Sequence, residues 1–269
     1  RDSCPMASES PTVPRPRKRF GQHFLHDAAM IRRIVEAIDA QMDEVLCEIG
    51  PGQGALTDRL VETGTTLHLV EIDRDLVPVL RQRYAQHPQV TVHERDVLSV
   101  NLGELSSNQP LVMVGNLPYN ISSVLLIHLL AQRDHISRML FMLQKEVAQR
   151  LVASPGASQY GRLSVMVGRV YHSRLLFDVG PGAFTPPPKV QSSVVALQPH
   201  PEPLGPPVSD AAFETLVRQA FSQRRKTLRN TLKETCSEAL IKQAGIDPTA
   251  RPQTVAPEAY ARLVTRLTG

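Results

Sequence analysis

Tryptophan is missing from this sequence, and aromatic residues make up only 4% of its 269 positions. A Tyr or Phe beside a motif is therefore more informative than usual. Cysteines are also scarce, since only Cys4, Cys47 and Cys236 occur and none has a close partner in sequence. This spacing argues against a disulfide framework or a zinc site and fits a reducing compartment. No apolar run is long enough to cross a bilayer and no signal peptide is evident, so we expect a cytoplasmic protein without a membrane segment or a bound metal.

The net charge is only +4, so the distribution of charge matters more than its total. Residues 1–19 begin rich in Pro and Ser and end in a basic run, which predicts a flexible basic tail. The hydrophobic share of 42% is enough for a sizeable core in the remainder of the chain. No apolar surface stripe stands out, and we expect a monomer.

From residue 20 onward, apolar strand patterns alternate with helical patterns. Strands such as "EVLCEIG", "TLHLVEID" and "PLVMVGN" are nearly continuous in apolar residues, which is typical of a parallel sheet covered on both faces. "LSVMVGRV" and "SSVVALQ" read as two later strands, and a proline-rich stretch follows them. We predict a doubly wound, mostly parallel α/β domain over residues 20–200 and a small all-helical domain over residues 201–269.

A glycine-rich turn, "EIGPGQGA", follows the first of these strands and opens a helix. Gly50 and Gly52 allow a tight turn and a close approach of a ligand to the backbone. Glu71 ends the next strand about twenty residues on, where a carboxylate can accept hydrogen bonds from ribose hydroxyls. The pattern indicates a nucleoside cofactor. It leaves open a nicotinamide dinucleotide, because the dinucleotide fingerprint is also satisfied, and a turn that only packs helix on strand.

Asp96 ends the third strand, where an acid can accept from an adenine amino group. Taken alone, it is equally consistent with a helix cap or a solvated turn. Three successive strand ends that carry Gly, Glu and Asp make the stronger argument, because all three face one crevice.

The fourth strand ends in "NLPY", which places an amide, a proline and an aromatic ring together. Asn116 can donate and accept, Pro118 has no N–H, and Tyr119 offers a flat stacking surface. Acceptors beside an aromatic plane suit the exocyclic amine of a nucleobase, which two accepted hydrogen bonds would make more nucleophilic. The plainer alternative is that Asn116 caps the following helix and Tyr119 packs in the core. Hydride transfer needs no such grouping, whereas S-adenosylmethionine fits as a methyl donor with a ribose, an adenine and no pyrophosphate.

Eight motifs in order carry a family resemblance from about Phe20 to the C-terminus. They include "FGQHFL", "EIGPGQGALT", "GNLPYNIS", "FTPPPKVQSSVV" and "FSQRRKTLRNTL". The chain resembles the bacterial small-subunit ribosomal RNA adenine dimethyltransferases of the kasugamycin-sensitivity type. The resemblance implies a Rossmann-like class I methyltransferase fold. It also implies transfer of two methyl groups from S-adenosylmethionine to N6 of each of two adjacent adenosines near the 3′ end of 16S rRNA.

By position, the resemblance implies two sets of site residues. Those for the donor are Gln22, His23 (often Asn in the family), Leu25, Gly50, Gly52, Glu71, Ile72, Asp96, Val97 and Asn116. For the target base, Asn116 and Leu117 resemble the acceptors of the amine, and Tyr119 and Phe184 resemble its two stacking faces. Phe184 read without the family is a core ring on a proline-rich loop.

Six basic residues and no acid lie between Glu214 and Glu234. Such a run suits RNA phosphates, although most charge runs are simply solvated. We expect Arg224, Arg225, Lys226 and Arg229 to contact RNA, with Arg225 and Arg229 on one helical face. Alternatively, the segment packs inward with its arginines on carboxylates. Arg15, Arg17, Lys18 and Arg19 add charge on the N-terminal side.

The expected partner is 16S rRNA in an immature 30S subunit. Two rival functions remain at this point: dimethylation of 23S rRNA, as in macrolide resistance, and a non-catalytic RNA-binding role in ribosome assembly. The long C-terminal match favours the small-subunit type, and the intact Glu71, Asp96 and "NLPY" favour an enzyme.

Overall fold

A computed structural model describes residues 22–106 and 109–268. The predicted tail at 1–19 and its basic residues lie outside this part of the chain. The strands are β1 (Phe24–Leu25), β2 (Val45–Ile49), β3 (Thr66–Glu71), β4 (Val90–Glu94), β5 (Leu111–Asn116), β6 (Ile136–Gln144), β7 (Tyr171–Val179), β8 (Phe184–Thr185) and β9 (Ser192–Pro199). The helices are α1 (Ala28–Ile38), α2 (Thr57–Val61), α3 (Leu76–Arg83), α4 (Leu102–Ser106), α5 (Ser122–Leu130), α6 (Lys145–Val152), α7 (Arg162–Val170), α8 (Asp210–Ala220), α9 (Leu228–Thr231), α10 (Glu238–Gln243) and α11 (Pro257–Thr268).

Within the described residues, seven strands form one sheet in the order β4-β3-β2-β5-β6-β9-β7. The pairs from β4 through β6 are parallel, and β9 runs antiparallel to both β6 and β7. The chain moves outward from β2 to β4 and then returns to place β5 on the other side of β2. The carboxyl ends of β2 and β5 therefore meet at the point where the strand order reverses, which is where open α/β sheets bind ligands.

The central strands bury side chains on both faces of the sheet. In β5, Val112 and Val114 belong to one hydrophobic core, and Met113 belongs to the other. Helix α1 covers the first face with Ile34 and Ile38, and Asp27 caps this helix by accepting from the Met30 amide at 2.9 Å. The nearly continuous apolar pattern of these strands follows from this double coverage, as predicted.

The stretch "LSVMVGRV" forms helix α7, so the prediction of a strand there is wrong. The strand is the next segment, Tyr171–Val179, which is β7. Helix α7 contacts α5, α6, α8 and α11 and is buried on nearly every side. Its sequence keeps a helical periodicity of apolar residues, but a short run rich in valine also suits a strand, and packing against four helices decides between the two.

The C-terminal helices share a core with the sheet. Phe213 of α8 and Tyr260 of α11 belong to the same cluster of buried side chains as Phe141 and Val195 of the sheet. The predicted boundary at residue 200 falls in the loop between β9 and α8, and the hydrophobic core continues across it. No helix in the described part of the chain is both long and apolar enough to span a bilayer.

Gly115 allows β5 to approach β2 closely at the sheet edge that carries the cleft. Its φ is 155°, and a β-carbon there would lie 2.5 Å from the Ile49 carbonyl oxygen. Since that oxygen belongs to the backbone of the neighbouring strand, it has little room to move. A side chain at this position would separate the two strands whose ends carry Gly50 and Asn116.

We predict that Gly115→Ala destabilises the protein by about 1–3 kcal/mol, because overpacking against a strand forces the backbone to shift. The free energy of unfolding is measured by urea denaturation. Gly182→Ala is the matched control, since a β-carbon there meets nothing within 4 Å. Equal stabilities for the two variants would show that β2 and β5 are not held in this close contact.

Candidate active site

A cleft of about 260 Å³ opens at the carboxyl ends of β2, β3 and β5. Its lining comes from segments far apart in sequence. The structure brings together there the residues predicted for the donor and most of those predicted for the base: Gln22, His23, Leu25, Gly50, Gly52, Glu71, Ile72, Asp96, Val97, Asn116, Leu117 and Tyr119. Their shared position supports a single binding site, and the role of each residue stays a prediction.

The glycine turn holds the Glu71 carboxylate in place. The Gly52 amide donates to Glu71 Oε2 at 3.2 Å, and the Asp73 amide donates to Oε1 at 2.9 Å. Glu71 is only 4% exposed, and burial raises the pKa of its carboxyl while the two amides oppose that shift. The acid is therefore fixed at the end of β3, with its oxygens at the wall of the cleft.

Glu48 also lines the cleft, and the sequence reasoning missed it. It is 2% exposed and accepts from the Thr57 hydroxyl at 2.7 Å. Burial raises the pKa of its carboxyl to about 7, and the nearby Glu71 and Asp58 carboxylates add to the shift. The signal in the sequence was an acid inside an otherwise apolar strand, and such a residue requires a partner or a function. With Glu71 it makes this end of the cleft favourable for a cation.

Asp96 caps a turn, as one of its two interpretations predicted, and it also lines the cleft. Its Oδ1 accepts from the Leu98 amide at 3.0 Å and so caps the turn that follows β4. This bond involves one of the two carboxylate oxygens. Ile72 and Val97 line the cleft beside it with apolar side chains. An acid next to apolar walls suits a flat base with an amino group.

The Asn116 side chain has a defined orientation. Its Nδ2 donates to the main-chain carbonyl oxygen of His23 at 3.0 Å. A carbonyl oxygen can only accept, so the atom that faces it must be the amide nitrogen. Among the described residues, no donor reaches Asn116 Oδ1. The oxygen is therefore the free end of the amide and can accept from a ligand.

Leu117 contributes its backbone to the cleft. Its side chain is 1% exposed, and its amide donates to the Met142 carbonyl at 3.1 Å. No donor in residues 22–106 or 109–268 reaches the Leu117 carbonyl oxygen, and the next residue, Pro118, has no N–H. Two acceptors, Asn116 Oδ1 and Leu117 O, thus follow one another along the chain beside Tyr119.

Residues 22–25 form a strap across the cleft. Gln22 Nε2 donates to Asp73 Oδ2 at 2.9 Å, and β1 pairs with β8 through Phe24 and Leu25. The Phe24 ring lies against Gly52, where a β-carbon would come within 3.1 Å of it. The strap therefore links the glycine turn, the end of β3 and the proline-rich loop after β8. Phe24, which lines the cleft, is a second residue that the sequence reasoning did not select.

Tyr119 is held at both ends. Its hydroxyl is 2.6 Å from the Ser192 hydroxyl, and its ring stacks with the His23 ring at a centroid distance of 5.3 Å and an angle of 30°. The Ser192 contact fixes the position of the hydroxyl end of the ring, and the His23 ring covers part of one face. Tyr119 thus lines the cleft as an ordered aromatic surface.

Phe184 does not join the other predicted site residues. Its ring is 2% exposed and packs in the core with Leu25, Val179 and Val194. The prediction of a second stacking face is corrected for this conformation, because a ring covered on its faces cannot stack on a base. The alternative interpretation, a core ring on a proline-rich loop, describes its position.

The basic cluster divides into two kinds of residue. Arg224 Nη2 donates to the carbonyl oxygens of Ser158 and Tyr160, at 2.5 and 2.9 Å. Arg224 therefore ties two segments of the protein together. Arg225 and Lys226 are exposed on a turn, and Arg229 lies 3.9 Å from Glu238.

Arg225 and Arg229 do not share a helix, so that prediction is wrong. Helix α9 begins only at Leu228. The amides of Leu228 and Arg229 donate to the Ala250 and Pro248 carbonyls, which draws this backbone away from a continuous helix. Tertiary hydrogen bonds here outweigh the local helical pattern. Arg15, Arg17, Lys18 and Arg19 lie outside the described residues.

The sequence is similar to a known family over nearly its whole length. A family model described as ribosomal RNA adenine dimethylase matches residues 14–268. A Pseudomonas aeruginosa protein named ribosomal RNA small subunit methyltransferase A is 50% identical over 256 residues, covering 94% of this chain and 95% of that protein.

Two solved structures are similar over most of the chain. A 23S rRNA methyltransferase, ErmE, is 28% identical with a TM-score of 0.68, covering 91% of this chain and 100% of that one. A dimethyladenosine transferase from Plasmodium falciparum has a TM-score of 0.75 at 24% identity, covering 90% and 96%. The second likeness concerns the fold.

We predict that Glu48 makes the protein less stable as pH rises. Its folded pKa of about 7 lies above the ordinary value of 4.5. The stabilising contribution of the protonated form is complete below about pH 4.5 and is lost as pH rises to about 7, a change of up to about 3 kcal/mol. Glu48→Gln should remove this part of the pH dependence of unfolding, measured by urea denaturation from pH 5 to 8.

Glu62→Gln is the control for this measurement, because Glu62 is exposed on the surface beside α2 and pairs with Arg59. It should keep the pH profile of the unaltered protein. If the pH profile of Glu48→Gln matched those of the unaltered protein and of Glu62→Gln, Glu48 would be ionised in the folded protein as in the unfolded chain.

Proposed function

The chain belongs to the ribosomal RNA adenine dimethylase family, and on that basis we propose that it dimethylates N6 of two adjacent adenosines near the 3′ end of 16S rRNA. The methyl donor is S-adenosylmethionine. The observation that supports this most strongly is the orientation of Asn116, a residue of the cleft lining whose amide nitrogen is held by His23 O, so that its oxygen is left to accept from a ligand. A relative that is 50% identical is named for the small ribosomal subunit.

The chemistry of the cleft fits the donor. Glu71, fixed by two amides at the end of β3, would hold the ribose hydroxyls. Asp96, with Ile72 and Val97 beside it, would hold the adenine. Glu48 adds a second buried carboxylate, which favours a cationic ligand and becomes more favourable once it is ionised. When bound, S-adenosylmethionine supplies an electrophilic methyl group on a cationic sulfur.

The residues of "NLPY" would prepare the acceptor amine. An adenine N6 is a poor nucleophile, because its lone pair is delocalised into the ring. Asn116 Oδ1 and Leu117 O would each accept one N–H of the amine and draw the nitrogen towards a pyramidal geometry. Tyr119, ordered by Ser192, would support the ring of the base. Alignment of this kind accounts for a large share of rate enhancement in enzymes.

No side chain at the amine needs to act as a strong base. Once the nitrogen is alkylated it carries a positive charge, its N–H protons become acidic, and water can accept one of them. The second transfer begins from an amine with one N–H, so one of the two acceptors loses its donor. The pocket must therefore tolerate a methyl group and allow the base to rotate.

The substrate would be an immature 30S subunit, and we propose that the protein acts on it in the cytoplasm as a monomer. Dimethylation of 23S rRNA uses the same cleft chemistry, but the structural relative named for that substrate is only 28% identical. A purely non-catalytic assembly role does not account for an ordered Glu71 and an oriented Asn116. A second role in assembly is compatible with catalysis.

The direct test is incubation with labelled S-adenosylmethionine and either immature 30S or immature 50S particles. We expect label in N6,N6-dimethyladenosine of 16S rRNA alone, with two methyl groups on each of two adenosines by mass spectrometry. Label in 23S rRNA would establish the alternative substrate. Absence of label with both particles, alongside tight RNA binding, would establish the assembly role.

We predict that Asn116→Ala lowers kcat by on the order of 100-fold, because the amine loses a preorganised hydrogen-bond partner. The dissociation constant of S-adenosylmethionine, measured by calorimetry, should change less than about threefold. Asn101→Ala is the control, since Asn101 is exposed, caps the first turn of helix α4 and does not line the cleft. Equal losses of turnover and donor affinity in Asn116→Ala would show that Asn116 serves donor binding instead.

We predict that the salt dependence of RNA binding distinguishes the basic residues that contact RNA from Arg224, which stabilises the fold. Arg225→Ala and Lys226→Ala should each reduce the slope of log affinity for 16S rRNA against log salt by about 1, because each removes a phosphate contact. Arg224→Ala should instead lower the melting temperature, since it removes two bonds to backbone carbonyls. Arg59→Ala, an exposed arginine paired with Glu62, is the control for slope. Unchanged slopes in Arg225→Ala and Lys226→Ala would remove this turn from the RNA interface.

A further inference from the structure

The His23 side chain lies at the acceptor end of the cleft. Its ring stacks on Tyr119 at 5.3 Å, and its Nδ1 is 2.8 Å from the Pro186 carbonyl oxygen. Since that oxygen can only accept, Nδ1 carries the hydrogen. The same residue accepts from Asn116 Nδ2 through its own carbonyl. His23 therefore bridges the two residues that would position the target adenine.

From this geometry we propose that the His23 ring is a placeholder for the target base. In the RNA-free protein it covers the stacking face of Tyr119, and the flipped adenine displaces it. This inference rests on the proposed function and adds a residue that controls entry to the acceptor site.

Competition for one surface supports displacement. A base whose amine meets Asn116 Oδ1 and whose ring stacks on Tyr119 needs the ring face that the His23 imidazole occupies. The contact of His23 with Asn116 is made by the main-chain carbonyl and is not part of this competition. The centroid distance of 5.3 Å between the His23 and Tyr119 rings leaves no room for a third ring between them. Phe184, the other aromatic candidate, is 2% exposed and offers no alternative surface.

The ring can leave without dismantling the donor side. Among the described residues, one stacking contact and one hydrogen bond hold it, and both are made by the side chain. The contacts that anchor the strap are separate: Gln22 on Asp73, the pairing of β1 with β8, and Asn116 Nδ2 on His23 O. Displacement of the imidazole therefore leaves the amide of Asn116 oriented.

The placeholder has a consequence for selectivity. When the His23 ring leaves, its stacking contact and its hydrogen bond are lost. Only a base that stacks on Tyr119 and donates to both Asn116 Oδ1 and Leu117 O compensates for this loss. An aromatic pair corresponds to a shift of about three- to tenfold in a binding equilibrium. A base without an exocyclic amine cannot use both acceptors and would compete less well.

Proton NMR of the donor-free protein tests the displacement directly. The His23 ring signals, identified by their loss in His23→Asn, should lie upfield because the Tyr119 ring shields them. An RNA oligonucleotide with two adjacent adenosines in a single-stranded loop should return them to the positions of an unstacked histidine. The same oligonucleotide with uridines in those places should not. His23 signals that stay upfield at saturation with the adenosine RNA would overturn the proposal.

Kinetics provide a second readout. His23→Ala keeps the main-chain carbonyl that orients Asn116 and exposes Tyr119, so KM for RNA should fall about three- to tenfold. His23→Phe, which stacks more strongly, should raise it. His26→Ala is the matched control, because the contact of His26 with Ala183 uses its main-chain amide, and its KM should be unchanged. A rise of KM in His23→Ala, with an unchanged dissociation constant for S-adenosylmethionine by calorimetry, would mean that the ring supports the base and would contradict displacement.

The two experiments separate this inference from the proposed function. The NMR titration contains no methyl donor, so it reports on His23 whether or not methyl transfer occurs. Failure of label transfer to any RNA, with His23 still released by adenosine RNA, would count against the activity alone. Label transfer with His23 still stacked would count against the placeholder alone.

Discussion

The hydrogen bond from Asn116 Nδ2 to the His23 carbonyl determines what the rest of the cleft can do. A side-chain amide can present either its nitrogen or its oxygen, and only the oxygen can accept from an amine. Because the strap supplies a carbonyl at the nitrogen end, the oxygen is left for the ligand. The Leu117 carbonyl and the missing N–H of Pro118 extend this row of acceptors. Without the strap, nothing would determine which end of the Asn116 amide faces the ligand.

The sheet supplies the precision that this arrangement needs. Parallel strands β2 and β5 end side by side, and Gly115 brings their backbones together where a β-carbon would lie 2.5 Å from Ile49 O. The glycine turn after β2 and the amide after β5 are thus held at one edge. The buried carboxylates of Glu48 and Glu71 make the donor end favourable for a cation, while the acceptor end consists of neutral oxygens and an aromatic plane. The two halves of the cleft therefore differ in the charge of ligand that they suit.

The sequence was informative where local pattern and tertiary structure agree. Gly52, Glu71, Asp96 and Asn116 occur at strand ends, and parallel strands necessarily bring their ends to one edge. It was uninformative where packing decides. The valine-rich run of α7 suits a strand as well as a helix, and packing against neighbouring helices decides for the helix. Tertiary hydrogen bonds delay the start of α9 until Leu228. The resemblance implied a stacking role for Phe184, and the basic run predicted an RNA contact for Arg224, but neighbouring segments cover the first and bind the second. The strand pattern alone does not select Glu48, although an acid inside an apolar strand indicates a partner or a function.

The polarity of the Asn116 amide is the central feature of the site, and a crystal structure of the complex would test it most directly. The complex should contain S-adenosylhomocysteine and an RNA with the target adenosine in the cleft. We expect the adenine N6 within about 3.2 Å of both Asn116 Oδ1 and Leu117 O. Asn116 Nδ2 should remain on His23 O. An adenine N6 bound elsewhere, or an Asn116 side chain that has left His23 and turned its nitrogen to the base, would contradict the account.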